Sequence, residues 1–301
     1  MTHQKSALWA LDAFAEKTVQ TKNLDVMFNL CEALKLQIDP VYILSSGQLQ
    51  IQNEFYPNWA LDYKKAAGTL MEGIIKDSNY LNIKSPTVLT SSTDNLRGAV
   101  DALLKFAKQN QSKAIFVNSH ANEGLTRFFL GSFVETLLLQ SKIPVVVTNP
   151  STEKRSKIKK IMLPTSFFSD TKQGLEDAVL LANRLHAELH IYHKEIVPTY
   201  LAFPEAPFYT IYIDDIAKKL KKNEHDWMEW AKKQGVNAKV IIDKSQEAGV
   251  IGKHIIKYAE KNHIDLICLM SQSSQIEAAI LGSTARYVVR HAHCPVWVHH
   301  T

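Results

Sequence analysis

Apolar residues recur along this chain in two rhythms that alternate from one end to the other. Between Ser169 and His186, the residues Leu175, Ala178, Val179, Ala182 and Leu185 keep the spacing that lines one face of an α-helix. Ser169 or Asp170 is placed to cap that helix by accepting a bond from a backbone N–H its first turn leaves unpaired. Strands are predicted on either side, Lys157 to Leu163, closed by Pro164, and Glu188 to His193. A long helix follows from about Tyr209 to Gln234, with Gly235 suited to its end. The remaining elements are a strand Ala238 to Ile242, a helix Ala248 to Asn262, a strand Asp265 to Met270, a helix Ala278 to Arg290 and a strand Pro295 to His299. Runs such as Leu266-Ile267-Cys268-Leu269 and Val145-Val146-Val147 carry no polar interruption. Such runs fit strands buried on both faces.

The first 150 residues follow the same order. They read as a strand Ala7 to Leu11, a helix Val19 to Leu36, a strand Pro40 to Leu44 and a loop-like stretch to Asn58. A mostly helical stretch Trp59 to Ile83 leads to a short strand Thr87 to Thr90, a helix Asn95 to Asn110 and a strand Ala114 to Val117. A helix Phe128 to Gln140 and a strand Val145 to Thr148 complete the copy. Gly131-Ser132 stands 13 residues before Pro144, and Gly282-Ser283 stands 13 residues before Pro295, an offset of 151. Strand–helix alternation with right-handed crossovers gives a parallel sheet covered by helices on both faces. The expected fold is therefore α/β. It consists of two tandem doubly wound, Rossmann-like domains, 1–150 and 151–301, each a five-stranded parallel sheet. The polar stretch Asn149 to Ser156 marks the boundary and is short enough that the domains pack closely. An open last strand invites edge pairing, so the two copies are expected to pair within one chain as a pseudo-dimer. That leaves a monomer, or a homodimer through other surfaces.

Composition narrows the class without naming an activity. The chain has 301 residues, 46% hydrophobic and 22% charged, with a net charge of +5. That is ordinary globular composition, too weakly basic to argue for nucleic acid. No run approaches the ~18 apolar residues of a membrane span. Cys31, Cys268 and Cys294 have no metal-type spacing and suit a reducing compartment, so a cytoplasmic protein is expected.

The stretch Phe116 to Ser132, FVNSHANEGLTRFFLGS, resembles the strand–loop–helix signature of the universal stress protein family in its tandem two-domain form. Ile280-Leu281-Gly282-Ser283-Thr284-Ala285 through Arg290 to Val296 is similar to the same signature's end. Ile161 to Thr165, with Leu185 to His190, is similar to its first strand and helix. The family's loop reads G-x-x-G, nine residues, then G-[S/T]. Glycines admit phosphate to the backbone, and N–H groups there and at the next helix start supply donors. In family members that bind ATP, an Asp at the end of the first strand contacts the adenosine part.

The resemblance thus implies ATP or AMP in the first copy, with any magnesium arriving on the nucleotide. The residues it picks out are Asp12, Asn118, Ser119, Ala121, Gly124, Gly131, Ser132 and Phe133. Asn118 and Ala121 replace both loop glycines, while Gly124, Gly131 and Ser132 are retained. Asn tolerates the left-handed backbone region; Ala adds a Cβ where close approach is needed. In the second copy the Asp position falls on Ser166, the loop from Met270 is about two residues shorter, and no glycine precedes Gly282. Its nucleotide site is expected to be degenerate.

Other chemistry is weaker. His186, His190 and His193 cluster, but strand alternation sends His190 and His193 to opposite faces. His291, His293, His299 and His300 gather near the C-terminus without a zinc motif, and no metal site is expected. Neither a P-loop nor a nucleophile elbow is present, so the protein is not expected to be an enzyme, weak ATP hydrolysis aside. Tyr209, Tyr212, Ile216, Leu220, Trp227 and Trp230 read as core or interface packing. Lys218, Lys219, Lys221 and Lys222 read as the solvated face of their helix. The resulting expectation is a stress-response binding or signalling protein with nucleotide in the first copy and protein partners the sequence does not name. The alternatives are a nucleotide-independent interaction scaffold, or a binder of an apolar small molecule or lipid between the domains.

Overall fold

A computed structural model describes residues 5–14, 24–44, 58–78, 80–91, 93, 95–119, 132–153, 157–167, 172–195, 207–245, 249–271 and 281–300. Its strands are β1 Ser6–Ala10, β2 Gln37–Leu44, β3 Thr87–Thr90, β4 Ile115–Asn118, β5 Val145–Thr148, β6 Lys160–Pro164, β7 Glu188–Lys194, β8 Ala238–Asp243, β9 Leu266–Ser271 and β10 Val296–His300. Its described helices are α1 Leu24–Leu34, α2 Trp59–Asp77, α3 Leu96–Gln109, α4 Ser132–Gln140, α5 Lys172–Leu185, α6 Pro207–Lys233, α7 Ile251–Lys261 and α8 Ser283–His291. All ten strands form one sheet in the order β3-β2-β1-β4-β5-β10-β9-β6-β7-β8. Each half contributes five parallel strands in the same order. The halves meet where β5 and β10 pair antiparallel, Val147 opposite Val296 and Val145 opposite Val298. The tandem α/β fold predicted from the residue pattern is the one observed.

Two prolines are strand residues, one inside a strand and one at its end. Pro40 sits in β2, which begins at Gln37, and Pro164 is the last residue of β6, paired with Tyr192. A proline removes a ladder donor, so its nitrogen must face an unpaired edge. The amide of Gln37 donates to Lys5 on the β1 side and that of Ile38 donates to the opposite side, at Asn82. Alternation therefore turns the nitrogen of Pro40 toward β3, which starts only at Thr87. Thr165 donates to Tyr192 in β7, so the nitrogen of Pro164 faces β9, whose pairing with β6 ends at Met162.

The helix bounds depart from the pattern at several ends. α2 stops at Asp77, and Ile83 makes a parallel bridge to Ile38 instead. α7 starts at Ile251, after Gly249 at φ +157° and an extended Val250. α8 starts at Ser283, with Gly282 at φ −54° and ψ 145°, so Leu281 is not helical. The predicted helix beginnings at 19–23, 128–131, 169–171 and 278–280, the caps Ser169 and Asp170 among them, lie outside the described residues.

Both halves end two of their helices with the same device. Lys35 and His186 have φ of 54° and 52°, and Gln111 and His263 have 51° and 54°. After each, an amide reaches back to seal the helix: Leu36 to Cys31, Ala187 to Ala182, Ser112 to Ala107 and Ile264 to Ala259, at 2.8–2.9 Å. These are Schellman closures, which satisfy carbonyls the last turn leaves open. Glycine is the usual residue there, and among the described residues only Gly235 after α6 conforms.

The core divides by sheet face rather than by half. One cluster lies under α1, α2, α5 and α6 and includes Trp9, Phe116, Val146, Cys268 and Trp297. The other lies under α3, α4, α7 and α8 and includes Leu8, Val117, Val145, Ile267 and Val298. Around the seam, Val145, Val146, Val147, Val296, Trp297 and Val298 are all buried. Burial of each such side chain is worth about 1.5–3 kcal/mol, so opening the seam to water is strongly disfavoured. The boundary stretch is pinned as well. Buried Asn149 donates from Nδ2 to the carbonyls of Val289 (3.0 Å) and Ala292 (2.9 Å) at the end of α8. Glu153 donates its amide to the carbonyl of His293 at 2.8 Å.

Candidate functional site

In each half the chain runs outward in opposite directions from the central strand pair, β1 and β4 or β6 and β9. Doubly wound sheets bind ligands at the carboxyl ends of such a pair. In the first half, Ala10 lies opposite Val117, so Asp12 follows β1 at the level where Ser119 follows β4. Asp12 accepts the amide of Phe14 on Oδ1 at 3.0 Å, which turns the chain sharply after the strand. Phe14 then packs edge-on to Tyr42 (5.7 Å between ring centres) and tilted on Tyr63 (4.7 Å), with 44% of its surface exposed. Burial, then Tyr63 and the charge of Asp12, push the Tyr42 hydroxyl well above its usual range. It stays protonated at any physiological pH.

The β4 end is more committed to the sheet than its sequence suggests. Asn118 accepts the Thr148 hydroxyl on Oδ1, and buried Ser119 donates its amide to the Thr148 carbonyl at 2.7 Å. That amide is spent on the sheet and is not open to a ligand. Ser132 opens α4 at the surface, its carbonyl taken by the Thr136 hydroxyl at 2.8 Å. Phe133, half-buried, packs against the core cluster beneath α4. Asp12, Asn118 and Ser119 are thus brought to neighbouring strand ends, while Ala121, Gly124 and Gly131 lie outside the described residues.

The same positions in the second half carry different chemistry. Register places Met162 beside Ile267 as Leu8 stands beside Ile115, so Ser166 holds the position of Asp12. The next residue, Phe167, is 1% exposed, against Trp227 (5.2 Å) and His193 (5.4 Å). Met270 faces His299 as Asn118 faces Thr148. Counted from those partners to Gly131 and Gly282, the second loop is one residue shorter, a smaller difference than the expected two. His299 Nδ1 lies 2.6 Å from Asp177 Oδ2, and the Trp297 indole donates to the same oxygen at 3.3 Å. A Cβ on Gly174 would come within 2.3 Å of Met270 Cγ, so α5 sits directly on that side chain. Gly282 has open space around it, which makes it a helix start and not a close approach.

A cavity of about 20 Å³ lies in the first half between α1 and the sheet, lined by Trp9, Leu24, Val26, Met27, Phe116, Val146 and, at its polar end, Asn118 and Thr148. It has room for about one water molecule, far too little for a lipid. Trp227, Trp230 and Leu220 pack on the core, and the side chains of Tyr209, Tyr212 and Ile216 lie outside the described residues.

The histidines are engaged separately. His190 lies between the Tyr258 hydroxyl (3.0 Å) and Glu188 (3.3 Å), and burial holds it below the usual histidine range. His193 Nδ1 meets the Thr165 carbonyl at 2.8 Å. Among the described residues, no three His, Cys, Asp or Glu side chains converge to hold a metal. Burial pushes the Cys31 thiol up to about 12 and that of Cys268 well up, so neither is a thiolate nucleophile. Sequence reasoning missed the pair Asp177–His299 and the two aromatic trios. A carboxylate beside the apolar stripe of α5 was a readable signal for the first; the trios join residues too distant for any local pattern.

A model of the universal stress protein family matches residues 95–149 and 157–300, one segment in each half and most of the chain. A universal stress protein of Methanocaldococcus jannaschii is 28% identical over 141 residues, 46% of this chain and 81% of the relative. A universal stress protein from Archaeoglobus fulgidus has a solved structure that covers 98% of both chains, with TM-score 0.66 and 18% identity. A protein of unknown function from Pseudomonas aeruginosa covers 99% of this chain and 92% of its own, with TM-score 0.64 and 12% identity.

Proposed function

The chain belongs to the universal stress protein family, and from that premise we propose that it is a stress-response binding protein with a single adenine-nucleotide site, in its first half. ATP or AMP sits where β1 and β4 diverge. Asp12 faces the adenosine part, and donors beyond Ser119 together with the start of α4 at Ser132 face the phosphates. Residues 1–150 and 151–301 act as two tandem domains, of which the second is a structural partner. The protein acts through occupancy and protein contacts, without robust turnover of its own. The observation that carries this reading is the contrast at one register position. Asp12 follows β1 and turns the chain with its carboxylate, whereas the same position after β6 holds Ser166, which carries no carboxylate.

Calorimetric titration of ATP and AMP into the whole chain and into Asp12→Ala tests it. Binding heat in the wild type that is lost in the variant supports the site. Heat of equal size in both proteins places the nucleotide elsewhere, and no heat in either removes the proposal.

A further inference from the structure

The sheet ends in β3 on one side and β8 on the other, and we infer that the outer edge of β8 pairs antiparallel with β8 of a second copy of this chain. The two edges are protected differently. β3 has four residues and follows Pro86, a short, proline-flanked form that discourages pairing. β8 has six, Ala238-Lys239-Val240-Ile241-Ile242-Asp243, without proline. Among the described residues its strand partner is β7 alone. The amide of Leu189 donates to the Asn237 carbonyl and that of Glu195 to the Asp243 carbonyl. Alternation along the strand then turns the backbone groups of Lys239 and Ile241 toward β7 and those of Ala238, Val240 and Ile242 outward. A row of unpaired donors and acceptors on an apolar strand is a template for another strand.

A second copy is the partner because this strand complements itself. Turned about a two-fold axis at Ile241, Val240 of each copy exchanges both backbone bonds with Ile242 of the other. The half-exposed Lys239 then meets the second copy's Asp243, whose carboxylate is partly exposed, on the same face of the sheet. Opposite charges directly across a ladder stabilise it, as do facing β-branched residues. Centring the pair on Val240 would instead set each Lys239 against Ile241. The chain already joins two copies of its fold by this geometry, at the antiparallel seam of β5 and β10.

The test is light scattering of the full chain and of Val240→Pro, with oxidative cross-linking of Ile241→Cys. The nitrogen of Val240 faces away from β7, so proline removes an outward donor and leaves the inner ladder whole. The wild type is expected at twice the mass of one chain, and Val240→Pro at the mass of one with its circular dichroism unchanged. At the axis the two copies of residue 241 form a non-hydrogen-bonded pair with Cα atoms about 4.5 Å apart, within disulfide reach. Ile241→Cys is therefore expected to give a covalent dimer on oxidation, and Lys239→Cys, which lies far from its own copy, is not. The native cysteines are buried and free. A monomeric wild type, a dimeric Val240→Pro or an Ile241→Cys that does not cross-link overturns the inference. Should Val240→Pro not fold, Lys239→Glu sets like charges across the ladder and is expected to weaken the dimer about tenfold; an unchanged dimer then overturns it. No nucleotide enters the experiment, so its outcome is independent of the ATP titration.

Discussion

The two halves share strand order, helix-end devices and a sheet, yet they treat the crevice at their central strand pair in opposite ways. The first places Asp12 just after β1, with Phe14 partly bare; the second places Ser166 just after β6, with Phe167 buried. Around β5 and β10 the exchange runs the other way. Thr148 and Asn118 hold each other in the first half beside a small cavity, while the second half places Asp177, His299 and Trp297 together and packs Met270 against Gly174. A fold held by long-range register and by two face-wide cores survives such exchanges. A ligand site, which needs a few groups at a few positions, does not.

The comparison breaks most severely at the seam. Trp297→Ala removes a buried indole opposite Val146 and is expected to cost about 3–5 kcal/mol. If each half supports the other through the seam, denaturant unfolding of the variant becomes less cooperative, whereas a transition unchanged in midpoint and slope would show that the seam contributes little. Asn149→Ala comes next. It strips the donor from two carbonyls at the end of α8, a loss of about 2–3 kcal/mol for buried acceptors left unmet, measurable in urea.

Acid separates the halves more finely. Burial alone would raise the Asp243 carboxyl, but hydrogen bonds from Tyr192 and Ser245 and the charge of Lys194 outweigh it and hold it at about 2. The folded-state value is depressed, so its stabilisation is complete above the ordinary carboxylate range and fades as pH falls from about 4 toward 2. The first-half position in the same register is Leu89, which carries no such dependence. Asp243→Asn is expected to lose about 2 kcal/mol at neutral pH and to flatten the stability profile below pH 4. An unchanged profile would mean that other carboxylates govern acid unfolding. The smallest effect belongs to Arg286, which meets Glu135 across the seam at 2.6 Å with both side chains partly exposed. Arg286→Ala is expected to cost no more than about 1 kcal/mol and to add to Trp297→Ala without coupling.

Much of the fold was legible because local pattern carries it. The apolar runs at Val145 and Leu266 and the helical stripe at Leu175 located strands and helices, and the Gly-Ser spacing located the repeat. What local pattern missed depends on partners far away in sequence. Asn149 reads as linker until its bonds to Val289, 140 positions away, are seen. Pro40 reads as a strand start until the unpaired edge beside it is known. Lys35, His186, Gln111 and His263 take the left-handed backbone without the glycine that would announce it. At the site, Asp12 and the position of Ser166 were readable by homology of spacing, but the burial of Phe167 against Trp227 was not, because it joins a strand end to a helix sixty residues on.

The central claim is asymmetry, one nucleotide site in a chain with two copies of the fold. Equilibrium binding of ATP to the whole chain, counted as sites per chain with Asp12→Ala and Ser166→Ala alongside, tests it most directly. The account predicts one site, lost in Asp12→Ala and kept in Ser166→Ala. Two sites, or one that disappears with Ser166 and not with Asp12, would contradict it.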